Sequence, residues 1–147
     1  MNKGSFCKNE SYERMKKVIG SNAFNYINVL NKAAGASYLR NTVISNNIAN
    51  SDTPNFKRSD INFEDYLKQE LVDGFGNMDQ KIAGVDLSNL NATVYEDQST
   101  LSYRLDGNNV DIDVEEANLA QTQIRYYTLL DAMTQEFSRI RMVLNRS

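Results

Sequence analysis

The chain of 147 residues has no histidine, one cysteine and one proline. Without histidine it lacks the commonest general base and the commonest transition-metal ligand. A lone Cys7 cannot form an internal disulfide, and with no histidine to activate it the thiol reads as incidental. No apolar run approaches the roughly 18 residues of a membrane span, and no apolar stretch follows the early lysines as a cleavable signal requires. Glycine-rich phosphate loops, nucleophile elbows and paired-cysteine metal spacings are likewise missing. These absences predict no catalytic residue, no cofactor, no metal and no small-molecule substrate.

A net charge of −3 argues against nucleic acid as a partner, because nucleic-acid binders carry a basic surplus. The charge is unevenly placed. Residues 1–23 hold five Lys/Arg against two Glu, whereas residues 51–112 hold five against twelve Asp/Glu. Residues 1–21 read as a flexible, solvated lead-in with little periodicity.

What is present in quantity is helical spacing. Phe24, Ile27, Leu30, Ala34, Ile44 and Ile48 recur at helical multiples and predict a helix over 22–49, with Gly35 as its weak point. At the other end Ala117, Ala120, Ile124, Tyr127, Leu130, Met133, Phe137, Ile140 and Leu144 form a coiled-coil-like seam with one slip near residue 130. Asp113 and Glu116 suit a capping box at the start of this second helix, and Arg139, Arg141 and Arg146 suit its end.

The stretch "SNNIANSDTPNFKRSD" (45–60) ends the first helix. Pro54 disfavours helical geometry at Thr53, and Thr53-Pro54-Asn55-Phe56 fits a β-turn in which Asn55 tolerates a positive φ. Lys57 follows directly. Asn46, Asn47 and Asn50 sit on the last turns, where their amides either bond another chain or face water.

Between the helices, Ile61–Val72 predicts a short helix capped by Asp60 or Asn62, with Phe63, Tyr66, Leu67 and Leu71 on its apolar face. Residues 73–92 read as loop, and Thr93-Val94-Tyr95 and Leu101–Leu105 as two short strands. The acidic run Asp106–Asp113 resembles a calcium loop only superficially. Counting from Asp106, its sixth place is Asp111 and its twelfth Ala117, where that loop needs glycine and a carboxylate. A turn followed by a helix cap explains these residues.

The expected organisation is a lead-in (1–21), an N-terminal core helix and corner (22–52), a middle segment (53–112) and a C-terminal core helix (113–147). The fold class is mainly α, with the terminal helices paired as an antiparallel coiled-coil hairpin beside a small, partly β, irregular middle segment. The predicted packing residues are Ile27, Leu30, Ile44 and Ile48 on the first helix and Ile124, Tyr127, Leu130, Phe137 and Ile140 on the second. Phe24, Leu39 and Val43, with Tyr126, Leu129 and Val143, lie beyond a single seam. The middle segment is acidic and short of apolar residues, so neighbouring copies or partner chains are expected to cover them.

Two motifs carry a family resemblance. "SNNIANSDTPNFKRSDINFEDYL" (45–67) resembles the N-terminal signature of flagellar rod and hook axial proteins, SNNIAN-x-x-TPGYK. "GNNVDIDVEEANLAQTQIRYYTLLDAMTQEFSRIRMVL" (107–144) is similar to the C-terminal segment of a proximal-rod member. Asn55 and Phe56 stand where the signature has Gly and Tyr. The resemblance implies a structural subunit of the bacterial flagellar basal-body rod. It also implies export by the flagellar type III apparatus, and contacts with other copies, other rod proteins and FliE. Alternatives are another rod protein of the FlgC type, or a soluble coiled-coil adaptor or export chaperone.

Overall fold

The computed structural model describes residues 23–74, 76–96 and 106–145. The predicted lead-in, Cys7 and the predicted strand at 101–105 lie outside the described residues. Six elements follow in order: α1 (Ala23–Ala49), β1 (Ser59–Asn62), α2 (Glu64–Asp73), α3 (Met78–Gly84), β2 (Thr93–Glu96) and α4 (Ile112–Asn145). At 1.5 Å per residue α1 is about 40 Å long and α4 about 51 Å. Among the described residues no helix is long and apolar enough to cross a membrane.

α1 lies between two partners. Along one line Ile27, Leu30, Ala34, Ser37 and Ile44 are buried, stepping 3, 4, 3 and 7, and α4 runs beside it. Contacts between the two helices move in opposite senses along them: Asn47 meets Glu115, and nine residues earlier the Tyr38 ring lies 6.3 Å from that of Tyr126. A second line, Ala33, Ala36 and Val43 with Leu39 beside it, packs on the middle segment. There Ile61, Phe63 and Leu90 form a buried cluster with Ala36, joined by Leu67, Val85, Leu87 and Ala92.

This second contact corrects the expectation that Leu39 and Val43 wait for a neighbouring chain. The middle segment is poor in apolar residues, but it gathers seven of them against α1. Apolar side chains of this size are worth roughly 1.5–3 kcal/mol each when fully buried, so a handful suffices.

The seam on α4 also differs from the expected one. Glu115 and Thr122 are buried, while Leu119, Tyr126, Leu129, Met133, Glu136 and Ile140 are half-buried, stepping 4, 3, 4, 3, 4, 3, 4 from Glu115. Of the predicted seam only Met133 and Ile140 are on this line. Ile124, Tyr127 and Phe137 are 69%, 67% and 51% exposed, and Leu130 lies at the edge of exposure. Choosing positions by apolarity passes over Glu115, Thr122 and Glu136. Each has a partner that makes its inward position tolerable: Thr122 Oγ1 donates to Asn118 O at 2.8 Å, Glu136 accepts from Arg139, and Glu115 is described below.

In the middle segment the predicted helix at 61–72 starts three residues later. Asp60-Ile61-Asn62-Phe63 alternates polar and apolar, and Ile61 and Phe63 are both buried, the two-residue period of a strand. β1 pairs antiparallel with β2 in the register Ser59↔Glu96 to Asn62↔Thr93, so the predicted strand at 93–95 has β1 as its partner. Neither Asp60 nor Asn62 caps α2, which begins without a side-chain cap. The predicted loop 73–92 contains α3, opened by a capping box in which Asn77 Oδ1 accepts from Gln80 N and Gln80 Oε1 accepts from Asn77 N, both at 3.0 Å. α4 begins at Ile112, and its cap is Asp111, whose Oδ1 accepts from the backbone N–H of Asp113 and Val114. Asp113 is therefore inside the helix, and the expected Asp113–Glu116 box is not formed.

Candidate functional site

The polar residues of the 45–60 stretch and of the segment before α4 meet in one corner. The turn forms as its chemistry dictates: Phe56 N donates to Thr53 O at 3.3 Å, and Asn55 has φ 60°. Pro54 sits exposed at the second position. Asn55 N then donates to Asp106 O at 2.9 Å, and Lys57 Nζ to Gly107 O at 2.7 Å. Gly107 has φ 79°, a conformation that favours glycine, and a Cβ there would lie 2.7 Å from Asn55 Oδ1, so that amide would have to shift.

A helix leaves its last carbonyls without intrahelical partners. Those of α1 are met locally, Asn46 O and Asn47 O by Asn50 N and Ile48 O by Ser51 N, and the turn beyond is held from a distant part of the chain by Asn108, which is fully buried. Its Nδ2 faces the carbonyls of Asn50, Ser51 and Thr53 at 3.1, 2.9 and 2.9 Å, while its Oδ1 accepts from Val110 N at 2.8 Å. Asn109 works beside it, with Oδ1 accepting from Arg58 N at 2.7 Å.

Asn47, also fully buried, pairs with one residue of the returning strand as another strand would. Its Oδ1 accepts from Ser59 N at 3.0 Å, and its Nδ2 donates to Ser59 O at 2.8 Å. The same Nδ2 donates to Glu115 Oε2 at 2.9 Å. Glu115 is 1% exposed, and its other oxygen accepts from Arg58 Nε at 2.7 Å. Burial works against the charge on Arg58. The hydrogen bond and charge of Glu115, with those of Asp60 at 3.1 Å, outweigh it and raise the guanidinium above its ordinary value.

The predicted motif residues thus divide. Asn47, buried against Ser59 and Glu115, neither faces water nor waits for another chain. Asn50 Nδ2 donates back to Asn46 O at 2.8 Å, and Asn46 itself is exposed. Thr53, Asn55 and Lys57 hold the turn, and Phe56 is half-buried. Of the predicted packing residues, Ile27, Leu30 and Ile44 are buried, Ile48 and Ile140 half-buried, and Ile124, Tyr127, Leu130 and Phe137 open. Arg58, Asn108, Asn109 and Glu115 were not among the predicted site residues. The one available signal was Glu115, a charged residue at the start of a 3.5-residue line that is mostly apolar.

A second ionic link lies outside the corner. Arg40 donates to Asp60 Oδ1 at 3.2 Å, to Ile61 O at 3.0 Å and to Glu64 Oε2 at 2.8 Å, and Arg125 reaches Glu64 from α4. Burial opposes the Glu64 charge, but the hydrogen bond from Arg40, a backbone hydrogen bond and the charges of Arg40 and Arg125 lower its pKa below the ordinary 4.5. A lowered carboxylate contributes stability above the ordinary value and loses it as pH falls through the folded value. Melting temperature is therefore expected to fall below about pH 4.5, and Glu64→Gln to flatten that acid limb. Glu64 is half-exposed, so the difference shrinks in high salt. Thermal melts from pH 3 to 6 test this, and coincident wild-type and variant profiles would refute it.

The corner fastens the end of one terminal helix to the start of the other, and every group described in it is used for holding. Such a molecule is a structural, mainly helical packing subunit. Residues 30–57, from α1 through the turn, match the family described as Flagella basal body rod protein. The chain is 37% identical over 117 residues to the flagellar basal body rod protein FlgB of Bacillus subtilis, covering 78% of this chain and 89% of that one. To FlgB of Borreliella burgdorferi it is 39% identical over 117 residues (72% and 85%), and to FlgB of Borrelia hermsii 36% over 131 residues (83% and 92%). The chain belongs to the FlgB family of flagellar basal body rod proteins.

Proposed function

We propose that this protein is a structural subunit of the flagellar basal-body rod that enters the rod through its terminal helices. α1 and α4 act as an antiparallel coiled-coil hairpin, and the corner fixes the angle at which the chain leaves it. The observation that carries this reading is the open row on α4, where Ile124, Tyr127, Leu130, Phe137 and Leu144 are all exposed. Several large apolar side chains left in water along one helix favour association, since covering each fully contributes roughly 1.5–3 kcal/mol. The subunit leaves the cell interior through the flagellar type III apparatus and packs against other copies, other rod proteins and FliE. Membership of the family, together with the uncovered row, supports these assignments.

Ile124→Asp combined with Phe137→Asp tests the reading in a motile host. Both side chains are exposed, so the purified variant is expected to melt within a few degrees of wild type. Export is expected to continue, while incorporation into basal bodies and motility are lost. A double variant that still builds a working rod would sink the proposal.

A further inference from the structure

β1 has one edge on β2 and the other on α1. In an antiparallel pair alternate residues turn their N–H and C=O groups away from the partner strand, and an edge that keeps such groups open is a template for a strand of another chain. Ser59 and Ile61 are the residues of β1 that turn towards α1, and side chains meet all four of their backbone groups. Asn47 takes both groups of Ser59, its Oδ1 accepting from the N–H at 3.0 Å and its Nδ2 donating to the C=O at 2.8 Å. Arg40 Nη2 donates to Ile61 O at 3.0 Å. Asp60 Oδ1, itself held by Arg40 Nε at 3.2 Å, accepts from Ile61 N at 2.7 Å.

The two α1 residues stand seven apart, two turns of helix, and so share a face. Two turns rise about 10.5 Å, whereas Ser59 and Ile61 are about 7 Å apart, and the long side chain of Arg40 spans the difference. Both polar groups are taken out of water: Asn47 is fully buried and the Arg40 side chain is 18% exposed. A polar group buried in a packing face costs stability unless it is paired. Apolar side chains at 40 and 47 would pack as well against Ile61 and Phe63, but they would leave the edge of the strand unmet.

We infer that Asn47 and Arg40 are edge guards: through them α1 takes the place of a third strand, and β1 is barred from pairing with a strand of a second copy. A two-stranded sheet of four-residue strands is marginal alone, so its edge opens readily once nothing holds it. The inference does not rest on the rod-subunit reading, since it concerns the purified chain whether or not that chain builds a rod.

Asn47→Leu combined with Arg40→Met tests this in the full chain. The pair keeps the apolar bulk and removes every donor and acceptor that α1 offers to β1, while Glu115 keeps Arg58. At low concentration the variant is expected to retain its helical circular dichroism, with amide exchange at Ser59 about tenfold faster or more. At raised concentration an intermolecular β-sheet band is expected in its infrared spectrum, absent from wild type under the same conditions. Adding Ser59→Pro is expected to remove the band, because proline is tolerated on a strand edge but offers no N–H to an incoming strand. Should the double variant lose its helical spectrum, Arg40→Met alone carries the test, with the same band expected at higher concentration. The inference is overturned if the folded variant shows no such band, or if Ser59→Pro leaves the band unchanged, which would trace it to general unfolding.

Discussion

Glu115→Ala is expected to lower the unfolding free energy by about 3–5 kcal/mol, a large share of what a domain of this size has. The reason is what the substitution strands. Arg58 loses its closest anion, and Asn47 Nδ2 keeps only Ser59 O. Arg58 keeps Asp60 at 3.1 Å, but a mostly buried charge that loses its nearer carboxylate costs more than the intact pair contributes. Arg58→Met made together with Glu115→Leu therefore recovers much of the loss, because both charges leave at once. Urea unfolding of the purified chain measures the three proteins on one scale. If Glu115→Ala lies within about 1 kcal/mol of wild type, the corner is not the fastening described here.

The second large effect is expected at Asn108. Asn108→Asp preserves size and shape but exchanges a donor for an acceptor, setting a carboxylate oxygen against the carbonyls of Asn50, Ser51 and Thr53. Each unmet buried partner costs about 1–3 kcal/mol, and repulsion adds to this, so a loss of about 3–4 kcal/mol is expected. Local opening accompanies it, with faster amide exchange at Thr53 and Phe56, whose N–H groups bond within the turn. Asn108→Asp with wild-type stability and unchanged exchange would mean that shape, not donation, matters at this position.

Both positions bear on what can be read without coordinates. α1 and α4 were legible because a long amphipathic helix repeats its signal many times, and their observed ends fall within two residues of those expected. The turn at Pro54 was legible because its requirements are local: a fixed φ, then a residue that tolerates a positive one. The face of α4 that turns inward was not. Ile124 and Tyr127 are more apolar than Glu115 and Thr122, yet they point outward, since Glu115 is held by Arg58 and Asn47 from segments 57 and 68 residues away. Which polar side chain is welcome inside depends on such remote partners, and periodicity carries no trace of them. In the middle segment the strand at 93–95 and most of the helix at 61–72 were legible, whereas the strand at 59–62 and α3 were missed for a different reason. Four residues of alternation at Asp60–Phe63 and a single Asn77–Gln80 box are short signals, and each was overridden by the glycines and acids around it.

Asn108 holds the turn that follows a helix some 58 residues earlier in the chain. A nascent polypeptide that has released only its first half therefore holds α1 without the clasp on its exit turn, the carbonyls of Ser51 and Thr53 still hydrated. Locking waits until residue 115 has emerged. The clasp is sewn near the last stitch, and premature set is avoided by the order of the thread itself.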